Sequence, residues 1–207
     1  MSQVFQLDGT LFRFLSRIVD LAILNALFLL FSLPIVTIGA STTALYSVLL
    51  KIIKNEDETI VKSFYFSYRR SFKQSTIVWF IMAAAGLLFG VNYSLLGNAG
   101  GLPLILWTSV LIVFGFVYLC IFLFVFAYIS RYEDTIKKIL LNSLLMGISH
   151  FHYLILLILL NVFPLIIVFS SSVGLLSGLY FGTFGGFALI ALINSIIFRK
   201  IFSKYES

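Results

Sequence analysis

His150 and His152 stand two residues apart in a stretch that reads as helix, so their rings point to different sides. A zinc site needs three or four converging ligands. No Cys, further His or carboxylate lies nearby in sequence to complete one, so the pair reads as polar caps at the start of a span. Asp20 follows Arg17 by three residues at the edge of an apolar run, where the two can pair on a helix; a buried functional carboxylate is the alternative. Cys120 is the one cysteine. It lies inside an apolar run, can form no internal disulfide, and reads as a lipid-facing or packed small hydrophobe. No segment matches G-x-x-x-x-G-K-[ST] or H-E-x-x-H, which excludes a P-loop ATPase and a zincin. Apart from Asp20, the apolar runs hold no acidic residue, whereas proton-driven pumps place carboxylates at mid-membrane. Asn25, Asn92, Asn142, Asn161 and Asn194 are the polar residues left in or near the apolar runs, where such groups bind neighbouring helices more often than substrates. The expectation is no catalytic residue, no metal and no cofactor.

The rest of the chain must supply context for so little chemistry, and its charge pattern does. No Asp, Glu, Lys or Arg occurs from Leu21 to Leu50, from Gln74 to Ser130, or from Ile139 to Phe198. With 61% hydrophobic and 11% charged residues, against about 25% charged in soluble domains, the chain reads as an all-α polytopic membrane protein. A single transmembrane domain over residues 1–207 is expected, with no separate soluble domain. A cleaved signal peptide is not expected, because the first apolar run exceeds an h-region and the chain stays apolar beyond it.

About six spans are expected as three hairpins, at residues 18–53, 75–129 and 151–198. Ile18 to Ile53 is too long for one span of about 20 residues, and Pro34 interrupts it. Pro34, Thr37 and Gly39 are therefore the expected hinge, with neighbouring Ser and Thr hydroxyls satisfying freed backbone. The alternative is a single kinked span followed by an interfacial helix, which gives five spans. Pro103 and Pro164 fall in the second and third hairpins. Glu58-Thr59-Ile60-Val61-Lys62 is echoed by Asp134-Thr135-Ile136-Lys137-Lys138, a hint of repeated construction.

Lys51 to Lys73 holds six of the fourteen basic residues. Basic residues flanking spans stay in the cytoplasm, so this loop and the C-terminus, with Arg199, Lys200 and Lys204, are expected inside. The hairpin reading puts the N-terminus there too, with the chain in the cell membrane. The net charge of +6 then reports topology and anionic lipid contact, not nucleic acid. Asn55 to Lys73 reads as an interfacial amphipathic helix, capped by Asn55 with Glu58. Its expected apolar face holds Ile60, Val61, Phe64, Tyr65, Tyr68 and Phe72. Lys62, Arg69, Arg70 and Lys73 are expected to contact lipid headgroups or dock a partner. Gly174, Gly178, Gly182 and Gly186 recur every four residues and form one expected stripe on the last helix, for close packing within the chain or against a partner or second copy. Gly86 and Gly90 make a single such pair.

The run Asn25 to Tyr46 (NALFLLFSLPIVTIGASTTALY), with Phe64 to Trp79 (FYFSYRRSFKQSTIVW), resembles the YesL family of small bacterial integral membrane proteins. The resemblance is best over residues 10–80; beyond that it is hydropathy and length. That family has no catalytic residues to carry over. The resemblance implies association with carbohydrate ABC importers, as an accessory or regulatory subunit beside the permease subunits and their ATPase. A stand-alone homo-oligomeric facilitator or channel is the alternative.

Overall fold

The computed structural model describes residues 10–54, 56, 59–95 and 101–205. Helices run in the order α1 (Thr10–Ser32), α2 (Ile38–Ile53), α3 (Ile60–Leu95), α4 (Leu102–Ile129), α5 (Ile136–Ser149), α6 (Phe151–Ser170), α7 (Ser172–Phe181) and α8 (Phe187–Phe202). A 3₁₀ turn at Ile35–Thr37 precedes α2, and a π turn at Gly182–Gly186 joins α7 to α8. Among the described residues there is no strand. Six segments are long and apolar enough to cross a membrane: Leu15–Ser32, Ile35–Ile53, Ile60–Leu95, Leu104–Ile129, Phe151–Ser170 and Ser172–Phe202. The protein is an all-α, multi-pass membrane protein.

The most enclosed of these segments holds α2, with 61% of its apolar window buried against 11% for α1 and for α6. Leu45 and Leu49 of α2, Phe64 of α3, Phe124 and Val125 of α4, and Phe198 and Ile201 of α8 are all nearly inaccessible and form one core. Tyr46 meets Phe198 edge-on at 5.5 Å, and Phe198 meets Phe124 at 5.4 Å. Many large apolar residues elsewhere on the helices face outward, among them Leu30 of α1, Ile112 of α4, Leu159 of α6 and Leu179 of α7, as the surface of a helix bundle in lipid does.

Pro34 explains why α1 and α2 are separate. The residue before proline is pushed out of helical backbone, and α1 ends at Ser32. The Thr37 hydroxyl donates to the Phe31 carbonyl at 2.6 Å, with the Pro34 carbonyl 2.7 Å from the same oxygen. The helix is broken here. Phe31 packs on Phe64 and Tyr68 of α3, Gly39 packs lower down against Ser75 and Trp79, and α2 then runs back to bring Lys51 beside Ser63.

Two expectations need correction. The amphipathic segment is not a separate interfacial helix, since α3 runs unbroken from Ile60 to Leu95. No Gly or Pro stands between Lys73 and the span, so nothing ends the helix. The expected capping pair, Asn55 with Glu58, lies outside the described residues. The buried face also differs. Phe64 is inward, but its companions are Ser63, Ser67 and Ser75, while Val61 and Tyr65 point out. The reason lies on α2, which presents Thr43, Ser47 and Lys51 rather than an apolar stripe. Ser75 bonds Thr43 at 2.9 Å, Ser67 bonds Ser47 at 2.9 Å, and Lys51 donates to Ser63 at 3.2 Å. Short hydroxyl side chains also let the two helices approach closely.

The second charged island starts a helix, α5, that lies back along α4. Its Gly147 meets Cys120, which is fully buried. The echoed motifs have matching roles: Thr59 and Thr135 immediately precede α3 and α5, and each carbonyl accepts the amide four residues on at 2.9 Å.

Candidate functional site: a polar cavity at the charged end

A cavity of about 460 Å³ opens where α2, α3 and the α4–α5 connection meet. Its wall carries Thr43 and Ser47 from α2, Ser67, Arg70, Ser71 and Gln74 from α3, and Ile129 to Arg131 with Glu133 to Thr135 from the connection. Local sequence places each group. The serines recur at helical spacing on α3. The connection follows the C-terminus of α4, where Ser130 turns its hydroxyl back to the Ala127 carbonyl at 2.7 Å.

Cross-links hold the walls. Arg70 Nε donates to Glu133 Oε1 at 2.6 Å, and Arg70 Nη2 reaches the same oxygen. The Gln74 amide donates to the Asp134 carbonyl. Behind Asp134, the Tyr128 hydroxyl donates to Oδ2 at 2.7 Å and accepts from Asn142 at 2.8 Å. The Arg70–Glu133 pair is exposed on both sides, so it orders the mouth and adds little stability, roughly 0–1 kcal/mol. At the adjoining corner, Arg199 Nη1 donates to the Ile53 carbonyl at 2.7 Å. That satisfies an end group of α2 with a cation at the negative helix terminus.

Only part of this was expected. Arg70 lines the cavity, whereas Lys62, Arg69 and Lys73 lie on the exposed face of α3. The hinge residues Pro34, Thr37 and Gly39 sit below it, in the turn that brings α2 against α3. Sequence reasoning missed the hydroxyl seam; its signal is the Ser63, Ser67, Ser71, Ser75 series at every fourth position.

The glycines at 174–186 do not share one straight helix. The segment breaks at Gly182–Gly186, where Gly185 has φ 131°, a conformation costly for residues with a Cβ. Gly174 and Gly178 abut the end of α6, while Gly182 and Gly186 lie against Phe187 and Phe181 within the break. A Cβ on Gly178 would stand 2.5 Å from Val168 Cγ2. Gly178→Leu is therefore expected to push α7 off α6 and cost about 1–3 kcal/mol. Thermal unfolding in detergent at the wild-type midpoint would remove this contact from the packing argument. In the second hairpin, Gly86 meets the Tyr118 hydroxyl, but nothing lies within 4 Å of Gly90.

Buried asparagines tie the other elements together. Asn25 is 1% exposed and donates to the carbonyls of Gly182 at 2.9 Å and Thr183 at 3.1 Å. Its own carbonyl accepts from the Ala188 amide at 3.1 Å. Asn194 bonds Asn161 reciprocally and donates to the Tyr46 hydroxyl at 3.2 Å, joining α8, α6 and α2. His150 is buried beside Tyr205 and His152 lies exposed against Tyr153. Asp20 pairs with Arg17 at 3.8 Å. Among the described residues, no three His, Cys, Asp or Glu side chains gather as a metal site.

No solved structure matches the chain. "Uncharacterized protein YteU" of Bacillus subtilis (strain 168) is 26% identical over 158 residues, which cover 74% of this chain and 71% of that protein. Residues 21–93, which carry Asn25, the Pro34 turn and both sides of the hydroxyl seam, match the family described as "Protein of unknown function, DUF624".

Proposed function

We propose that the chain is a non-catalytic accessory or regulatory subunit of a bacterial carbohydrate ABC importer, set in the cell membrane with its charged end in the cytoplasm. The resemblance of residues 10–80 to the YesL family motivates the importer, and the DUF624 match is consistent with that resemblance. The basic residues of the 51–73 stretch and of the C-terminus favour the cytoplasmic side. The hairpin reading of residues 18–53 would put the N-terminus on that side as well.

The observation that supports docking is the state of α3 between Ile60 and Lys73. One face is fastened to α2 through Ser63 and Ser67. The opposite face holds Lys62, Tyr65, Phe66, Arg69 and Lys73 exposed on a rigid helix. Basic residues interleaved with aromatic rings suit an acidic cytoplasmic surface, such as one on the importer's ATPase or permease.

The test is mild-detergent capture of the tagged full chain from its native membrane, with mass spectrometry of co-purifying proteins. Importer permeases recovered in fixed ratio are expected, and a Lys62→Glu, Arg69→Glu, Lys73→Glu variant should lose them while remaining folded. Recovery of the protein alone would shift the reading to a homo-oligomeric facilitator, which solute flux in liposomes then examines. An importer whose assembly and transport rate are unchanged without this chain would end the subunit reading.

A further inference from the structure

We propose that the charged-end cavity is a binding site for a small, uncharged, polyhydroxylated solute. This does not rest on the importer reading; it follows from the valences the cavity leaves open.

The bonds that hold the walls consume specific atoms. Glu133 is engaged through Oε1, Asp134 through Oδ2 and its backbone carbonyl, and Gln74 through its amide nitrogen. Glu133 Oε2, Asp134 Oδ1 and Gln74 Oε1 take no part in them. Ser71 and Ser130 spend their protons on carbonyls of their own helices, at 2.7 Å each, which leaves oxygen lone pairs. The cavity also adjoins the C-terminus of the 28-residue α4, the negative end of the helix dipole, although the carbonyls of Phe126, Ala127 and Tyr128 there are already paired. The wall thus offers acceptors beside the hydroxyls of Ser47, Ser67 and Thr135 and the arginine N–H groups, so it suits an occupant that both donates and accepts hydrogen bonds.

Charge narrows the class. Among the described residues of the lining, two arginines and two carboxylates balance in formal charge. An ammonium ion would find acceptors but would face both guanidinium groups, and an anion would face the acceptor wall. A neutral polyol satisfies both sets, because each hydroxyl donates one hydrogen bond and accepts others. Among the described residues of the lining, Ile129 is the sole apolar side chain and no aromatic ring is present, which disfavours a flat apolar ligand. The walls come from three elements already fixed to one another, so little ordering is required on binding.

The experiment uses the full chain in mild detergent, with single Ser71→Cys and Ser130→Cys variants. A membrane-impermeant sulfonated methanethiosulfonate reagent reports access, and the wild type, whose Cys120 is buried, serves as the blank. Inositol is the neutral probe, with ethanolamine and inorganic phosphate as charged controls and a short polyethylene glycol as the viscosity control. Labelling at both positions is expected to slow saturably with inositol, about tenfold near saturation, and not with the controls. Adding Gln74→Leu should abolish protection while labelling persists. Absence of labelling at both positions, no effect of inositol, protection by either charged control alone, or a non-saturating slowing matched by polyethylene glycol would each overturn the proposal.

Discussion

Gly39→Ala is expected to destabilise the protein measurably, and Gly39→Leu to lower its thermal midpoint in detergent by ~10 °C or prevent folding. A Cβ at Gly39 would stand 2.6 Å from the Ser75 carbonyl and 2.8 Å from Trp79 Cβ, with Phe126 at 3.0 Å. Two of these obstacles are α3 backbone and the first side-chain carbon, which no rotamer change moves. Only separation of α2 from α3 relieves the clash. That separation would also stretch the Thr43–Ser75 and Ser47–Ser67 bonds, which face each other across the same seam. Overpacking alone costs about 1–3 kcal/mol, and the lost buried hydrogen bonds add about 1 kcal/mol each. Gly90→Ala is the control, since nothing lies within 4 Å of that position; it should be neutral or slightly stabilising through helix propensity. Equal midpoints for the Gly39 variants and wild type would sink the close α2–α3 approach.

The contrast between these two glycines shows what sequence can and cannot convey. Both sit in apolar helices, and Gly90 belongs to a G-x-x-x-G pair that resembles a packing motif more closely than Gly39 does. What separates them is the partner surface, and that is a tertiary fact. Long charge-free runs delimit the segments that can cross a membrane, because burying an unpaired charge in hydrocarbon is costly. Pro34 marks the turn through its covalent geometry. Nothing local, by contrast, announces that Ser63, Ser67 and Ser75 face inward. Aromatic residues on α3 look like the natural buried face until α2 is seen to offer hydroxyls opposite them. The cavity was invisible for the same reason, since Arg70 and Glu133 are 63 residues apart and meet only because α4 lies antiparallel to α3. In a bilayer the outward face of a helix is apolar too, so hydrophobic periodicity loses the power to distinguish inside from outside that it has in water. Polar spacing carries that information instead.

Asn25→Leu is expected to have the largest effect of any single polar substitution in the spans. Breaking a helix frees backbone groups, and in hydrocarbon no water is present to receive them. The break at Gly182–Gly186 survives because one side chain from α1 serves both polarities. The Asn25 amide nitrogen covers the carbonyls of Gly182 and Thr183, while its oxygen covers the Ala188 amide. A leucine of similar volume offers neither. Leaving three such groups without partners costs about 1–3 kcal/mol apiece, so a loss of ~3–9 kcal/mol is expected in detergent unfolding. Asn25→Asp keeps the acceptor for Ala188 but loses both donors and buries a charge, so it should not rescue. The chain has one other way to respond: Gly182–Gly186 can rewind into continuous helix and satisfy its own carbonyls, straightening α7 onto α8. Spin labels on α7 and α8 would then report a longer distance in Asn25→Leu than in wild type, with a smaller loss of stability. Either response identifies Asn25 as the residue that holds the break open. An Asn25→Leu protein with wild-type unfolding and wild-type α7–α8 distance would show that the broken helix is sustained by Gly185 and packing alone.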